Sequence, residues 1–323
     1  MILTSVAHSY STNHISNDIA KFGGYFYCAN WNAQVAIYDL NMNWVAYSPY
    51  SSKESHYWDN NYFVQSDGVV GSSCILRFSH FNGAIVSQIY SITRGNSSNM
   101  CTLNGSYVLG YDSGYIRFYN YTGTVISSTS FGLRALWGYM MPSGDRLWTK
   151  SETTSGFGCY IDAWSVSGST LTWLAQYVID DHTAGYSNKV GFPYLPLVDE
   201  DMPIGIENRI DLIHWNGSSF NKIAEFPCSI PGDFNISFMS KYKDYLVGKS
   251  CSPDMGSRYN LIFFNKYNFI PLYIFPRSTN FDVGSYVDGD YIYISADSLS
   301  GYAITKYSIV DDTNNGKFNA SWM

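Results

Sequence analysis

The chain has 323 residues, of which 46% are apolar, 18% aromatic and 14% charged, a composition that supports a large buried core and excludes a disordered polymer. With 26 Asp plus Glu against 19 Lys plus Arg, the net charge is -7, and no basic run stands ready to neutralise phosphates, so nucleic acid is not an expected partner. No stretch approaches the roughly 18 apolar residues that span a membrane, and the opening "MILTSVAHSYSTNH" lacks a basic leader, so neither membrane insertion nor a signal peptide is expected.

From the amino end, "ILTSVAHSY" predicts a strand without a unit of its own, suited to complete the last unit beside the carboxy-terminal strands. A recurring pattern then begins: a polar turn, an aromatic or apolar anchor, and alternating apolar residues. It stands at "GGYFYCAN" around Tyr25, "NNYFVQS" around Tyr62, "NGSYVLGY" around Tyr107 and "SGDRLWTK" around Leu147. A blurred copy, "GFPYLPLV", surrounds Tyr194, followed by "KYKDYLVGK" around Tyr245 and "DGDYIYIS" around Tyr291. The anchors lie about 37 to 51 residues apart, close to the roughly 40 to 50 of one four-stranded repeat unit.

After each anchor come a further strand, a tight turn and a last strand. Examples are "CILRFSHFNGAIVSQIY", "YIRFYNYTGTVISSTSF", "YIDAWSVSGSTLTWLAQYV" and "RIDLIHWNGSSFNKIAEF". Asn-Gly, Thr-Gly and Ser-Gly occupy the bends because hairpin turns need positive φ, which Gly and Asn adopt at low cost. Another strand precedes the anchors, as in "ISNDIAKF", "SNMCTLN" and "FDVGSYV". Four strands per unit, seven units and almost no helical periodicity predict an all-β seven-bladed β-propeller of four-stranded antiparallel blades. Six or eight blades are the alternatives, because the fifth unit is blurred. Residues 1–323 read as one domain.

The unit "YVLGYDSGYIRFYNYTGTVISSTSF" resembles a blade of the WD40-like and YVTN-like propellers. The likeness lies in strand pattern and turn chemistry over nearly the whole chain. The repeated Gly-His and Trp-Asp pairs of WD40 repeats are missing, so the resemblance implies the fold and no activity. In composition, rich in Tyr, Asn and Ser and poor in charge, the chain is similar to virion proteins of viruses infecting thermoacidophilic archaea. That similarity implies a virion or cell-surface, extracellular location.

In such a ring, the long connections are expected at one face and the tight hairpins at the other. Long connections read as "SPYSSKESHYWDN", "ETTSGFG", "DDHTAGYSNKVG", "DEDMPIGIEN" and "SCSPDMGSR", which makes the long-loop face the expected binding surface. Trp31, Tyr57, Trp58, Trp137 and Tyr186 are the aromatic binding candidates there, since they join apolar area to a polar handle. For each, packing between blades is the competing reading. The expected partner is a protein or glycan, or another virion or surface protein. The first function class is therefore a noncatalytic surface or virion interaction module.

The second class is a carbohydrate-active enzyme, a glycoside hydrolase or lyase with acids at the channel. Its candidates are Asp180, Asp181 and His182 in "VIDDHTAG" and Asp199 in "LVDEDMP", beside Glu200 and Asp201. Solvated turns are the competing reading of both segments. "DDTNNGK" at Asp311 has the start of a calcium loop but Trp322 where the bidentate acid belongs. No metal and no cofactor is expected. His8, His14, His56, His80 and His214 have no ligand spacing.

Six sequons begin at Asn96, Asn104, Asn120, Asn216, Asn235 and Asn319, and each is a candidate glycosylation site if the chain meets that machinery. Turn chemistry by itself explains Asn104 and Asn216. The six cysteines, Cys28, Cys74, Cys101, Cys159, Cys228 and Cys251, are scattered with no CxxC or Cys/His cluster, which fits buried apolar positions. If a disulfide exists, Cys228 with Cys251 is the first pair to test.

Overall fold

The computed structural model describes residues 2–10, 18–29, 33–52, 54–57, 62–66, 74–94, 100–103, 107–112, 114–120, 122–131, 134–135, 140–153, 159–179, 201–206, 209–227, 235–242, 244–251, 259–275, 285–297 and 302–310. These form 28 strands in seven small antiparallel sheets. The first strand, β1 (Ile2–Tyr10), is set aside by the chain at the outset. Sheet one then runs through β2 (Asp18–Phe22), β3 (Tyr25–Ala29), β4 (Ala33–Asp39) and β5 (Trp44–Ser52) in sequence order. Sheet two repeats that order with β6 (Glu54–Tyr57), β7 (Tyr62–Ser66), β8 (Cys74–Phe81) and β9 (Val86–Arg94).

Sheet three is β10 (Met100–Leu103), β11 (Tyr107–Asp112), β12 (Tyr115–Tyr119) and β13 (Val125–Ser130). In sheet four, β14 (Arg134–Ala135) and β15 (Met140–Ser143) share one edge of β16 (Arg146–Thr153), followed by β17 (Cys159–Ser167) and β18 (Thr170–Ile179). Among the described residues sheet five has three strands, β19 (Asp201–Ile206), β20 (Arg209–Trp215) and β21 (Phe220–Pro227). Sheet six is β22 (Asn235–Tyr242), β23 (Tyr245–Cys251), β24 (Tyr259–Asn265) and β25 (Pro271–Phe275). Sheet seven joins both ends of the chain: β26 (Ser285–Asp288), β27 (Tyr291–Asp297) and β28 (Tyr302–Val310) are completed on the outside by β1, paired from Ile2 opposite Val310 to Tyr10 opposite Tyr302.

Successive sheets pack face to face, so their middle strands are buried on both sides and alternate between two cores. On sheet one, Val35 and Ile37 share a core with Phe81 and Val86 of sheet two, while Phe26 and Tyr38 turn to Tyr293 and Ile304 of sheet seven. The same relation holds around the ring. Leu76 and Phe78 meet Tyr119, Ile116 and Phe118 meet Trp164 and Leu171, Ile161 meets Trp215, and Ile210 meets Phe264 and Phe269. In most of these seams the third strand of one sheet meets the hairpin region of the next, which sets the sheets the same way round. β2 contacts β26 and β27, and Lys21 pairs with Asp288 across that junction, so the ring is closed.

Two sequence expectations change. "SPYSSKESHYWDN" is not a long loop: β5 runs to Ser52 and β6 starts at Glu54. Pro49 is tolerated because it lies on an outer strand, opposite the irregular pairing between Gln34 and Ala36. There the Ser48 hydroxyl takes the Val35 N–H at 2.9 Å, and the Gln65 amide reaches the same oxygen at 3.0 Å. "DEDMPIGIEN" likewise contains a strand, β19, whose Met202 to Ile206 are buried. The predicted anchor Tyr194 lies outside the described residues, and β19 carries the pairing to β20.

Candidate interaction surface

Several predicted site residues lie outside the described residues: Trp31, Trp58, Trp137, Tyr186, Asp180, Asp181, His182 and Asp199. Tyr57 does not fall on the long-loop side. It ends β6 opposite Phe63, at the same end of sheet two as the hairpin between Phe81 and Val86. Asp201, read as one of three solvated acids, starts β19 opposite His214, and its Oδ1 lies 2.7 Å from His214 Nδ1. Among the described residues no group of three or more His, Cys, Asp or Glu side chains converges as a metal site. Cys28 and Cys101 are buried free thiols, and burial raises the Cys101 thiol above the ordinary range. Cys228 lies outside the described residues, and Cys251 ends β23.

Of the sequons, Asn96, Asn104 and Asn319 lie outside the described residues, and Asn235 opens β22. Asn120 and Asn216 cap hairpins. The Asn120 Oδ1 accepts the Thr122 and Thr124 N–H groups at 3.0 and 2.9 Å, and the Asn216 Oδ1 accepts those of Ser218 and Ser219 at 3.0 and 2.9 Å. Asn82 makes the same cap to Ala84 and Ile85, next to Gly83 at φ 96°. Side-chain caps of this kind replace ladder bonds that a turn cannot make. In sheet six the turn uses Phe269 at φ 55°, a strained position for a large residue. Its ring is held in the seam, 4.8 Å from that of Phe226.

These hairpins define one end of the ring, and each described sheet leaves a large apolar side chain exposed on or near it. Sheet one contributes Leu40 and Trp44, sheet two Ile85, and sheet three Ile126. Trp173 and Ile223 stand a few residues along the outer strands β18 and β21 of sheets four and five. Tyr267 and Ile270 lie in the turn of sheet six, and Tyr291 follows the turn of sheet seven. The exposure is substantial, 64% for Ile85 and 69% for Tyr267. Tyr50, Ile89, Tyr90, Tyr115, Val178 and Ile274 are exposed elsewhere, at 39% to 46%; isolated surface hydrophobes are ordinary, whereas a set repeated from sheet to sheet at one end suits a contact surface.

Two of these side chains are anchored. The Trp173 Nε1–H donates to Asp162 Oδ1 at 3.1 Å, which holds the indole while leaving half of it exposed. Tyr267 donates its hydroxyl to Asp244 at 3.3 Å, and Lys266 approaches the same carboxylate at 2.7 Å and the Tyr267 ring at 4.7 Å. The Lys266 ammonium keeps the Asp244 carboxyl below the usual carboxylate range, and Asp244 in turn raises Lys266. In the turn of sheet four Arg146 likewise pairs with Asp145 at 2.7 Å, while Lys222 and Glu225 pair farther along β21. The sequence expectation pointed instead to aromatics in long connections, most of which lie outside the described residues. The available signal was the near absence of charge in outer strands such as "VISSTS" and "TLTWLAQYVI".

The closed ring of small antiparallel sheets is a β-propeller, with seven blades. Among solved structures, the fold is similar to the computationally designed Ika8 protein, with a TM-score of 0.58 and 10% identity over 94% of this chain and 99% of that one. It is also similar to BamB from Moraxella catarrhalis, with a TM-score of 0.57 and 10% identity over 95% of this chain and 100% of that one. At this identity the likeness carries the fold alone. No protein-family model and no curated protein matches the sequence.

Proposed function

We propose that this propeller is a noncatalytic interaction module of a virion or cell surface, with WD40-like or YVTN-like blades serving as a rigid display scaffold. The observation that supports this reading is the apolar set at the hairpin end, to which every described sheet contributes. A ring of packed sheets holds such side chains with little freedom, so docking them costs little conformational entropy. The partner is a protein: aliphatic side chains such as Ile85, Ile126 and Ile223 suit a dry contact, and aromatic anchors such as Trp173 and Tyr267 suit the centre of a protein interface. The long-loop face remains a second surface for a protein or glycan.

Cross-linking mass spectrometry on the particle or surface fraction that contains the protein tests the proposal. Cross-links from Lys266 and Lys222, which flank the apolar set, to a neighbouring chain are expected. Cross-links confined to the long-loop face would move the interface there. Purified protein that hydrolyses or cleaves a glycan, and loses that activity in the Asp180→Asn or Asp199→Asn variant, would replace the proposal with the enzyme reading.

A further inference from the structure

We propose that the occupant of the hairpin end is a second copy of this chain, so that two rings dock end to end about a twofold axis. The inference rests on the interaction reading above and names its partner. The apolar side chains are spread around the ring, one or two per sheet, rather than gathered over one blade. A small ligand or a single peptide strand would cover two or three of them. A second ring covers all, because a twofold axis across the end places the same set opposite itself, the isologous arrangement of most homodimers.

Area and charge both favour that occupant. Summed over the set, the exposed side chains present on the order of 1,000 Å², against roughly 800 Å² per partner in a standard stable interface. The chain carries a net charge of -7, which by itself opposes self-association. At this end, however, Asp145 and Asp244 each have a cation of their own sheet at 2.7 Å, and Asp39 is held by Asn41 and Asn43 of its own turn. Two copies therefore meet with two of these acids neutralised, which weakens the repulsion between them. Asn82, Asn120 and Asn216 spend their amide oxygens on their own turns, so these turns dock as preformed, rigid shapes.

Sedimentation velocity on the full chain over a wide concentration range is the test, with Ile85→Glu, Ile126→Glu and Ile223→Glu as variants and Ser130→Glu, at the far end of β13, as control. The expected result is a dimer whose dissociation constant rises at least tenfold in each Ile variant and is unchanged in the control. Should a variant unfold, concentration-dependent hydrogen exchange of the wild type supplies the second reading. Protection of the amides in the turns at 82–85 and 266–270 must then grow with concentration. A wild type that is monomeric at every concentration overturns the inference, as does a dimer indifferent to all three Ile variants. If the monomer's Ile variants lose cross-links to another protein in the source fraction, only the second copy fails and the interaction reading stands. If those cross-links persist unchanged, both fail.

Discussion

Sheets four and five bury an aspartate at matching positions of the strand that precedes the outer hairpin, Asp162 in "YIDAWSVSG" and Asp211 in "RIDLIHWNG", and satisfy it by different chemistry. Asp162 takes neutral donors: Trp173 Nε1 at 3.1 Å, Gln176 Nε2 at 3.0 Å and Ser151 Oγ at 3.1 Å. Asp211 takes cations: Arg209 Nε at 3.0 Å and Lys222 Nζ at 3.0 Å, with Glu225 closing the group. A buried carboxylate costs several kcal/mol unless paired or fully hydrogen-bonded, and both solutions meet that demand. They teach different things about the surface. Asp162 fixes the orientation of an exposed tryptophan, whereas Asp211 ties down two partly exposed cations that water and salt can also reach.

The largest break in the comparison comes from the side chain the two sheets share. Trp148 of sheet four is buried against Trp215 and Phe220 of sheet five, with ring centroids 5.3 and 5.6 Å away. Trp148→Ala is expected to cost about 3 to 5 kcal/mol in urea unfolding, from lost transfer energy plus the cavity. A cost under about 1 kcal/mol would mean that the seam between the sheets does not hold in solution.

Next in size is Asp162→Ala, which strands the Ser151, Trp173 and Gln176 donors and is expected to cost about 1 to 3 kcal/mol. Asp162→Asn keeps an acceptor for the indole and amide, and its cost should stay within about 1 kcal/mol. Both values should respond less to salt than those at Asp211, because these three donors are uncharged. The Trp173 emission should shift to the red in the Ala variant, reporting release of the indole.

Asp211→Asn should cost roughly 1 kcal/mol at low salt and less as salt is added, since Arg209 and Lys222 are 27% and 34% exposed and salt screens them. Equal salt dependence for the two aspartates would erase the distinction between the sheets. The smallest effect concerns pH. Desolvation lowers the Lys222 ammonium pKa, but its bonds to Glu225 and Asp211 outweigh that and leave it above its ordinary value of 10.5. A raised folded value means that its stabilisation is complete below the unfolded value and is lost as pH climbs through the folded one. The stability gap between wild type and Lys222→Met should therefore be constant up to about pH 10 and close above it. A gap that instead closes as pH falls from 9 to 7 would assign the effect to another group.

Much of the fold was legible because its signals are local. Tyr25, Tyr62, Tyr107, Tyr245 and Tyr291 each open the second strand of a sheet, and Leu147 stands one residue inside β16. The strand in "DEDMPIGIEN" was missed because Pro203 and the acids before it imitate a loop, although β19 pairs only β20 among the described residues, and a proline, which has no N–H to donate, is tolerated on such an edge. The surface was less legible. Tyr57 read as a loop aromatic because "SPYSSKESHYWDN" is polar, yet its tyrosines suit the strands β5 and β6 that lie there.

Alternation, turn residues and repeat spacing by themselves determined that this chain forms small antiparallel sheets with hairpins at Asn82, Asn120 and Asn216, since strand period and positive φ are properties of neighbouring residues. Which end of the ring gathers exposed apolar side chains, that β1 joins β28 from the far end of the chain, and that Asp162 holds Trp173 while Asp211 holds Arg209 and Lys222 were decided only by tertiary structure. Those relations depend on strands brought together across the ring, and no local pattern encodes which side chain another strand will place beside a given residue.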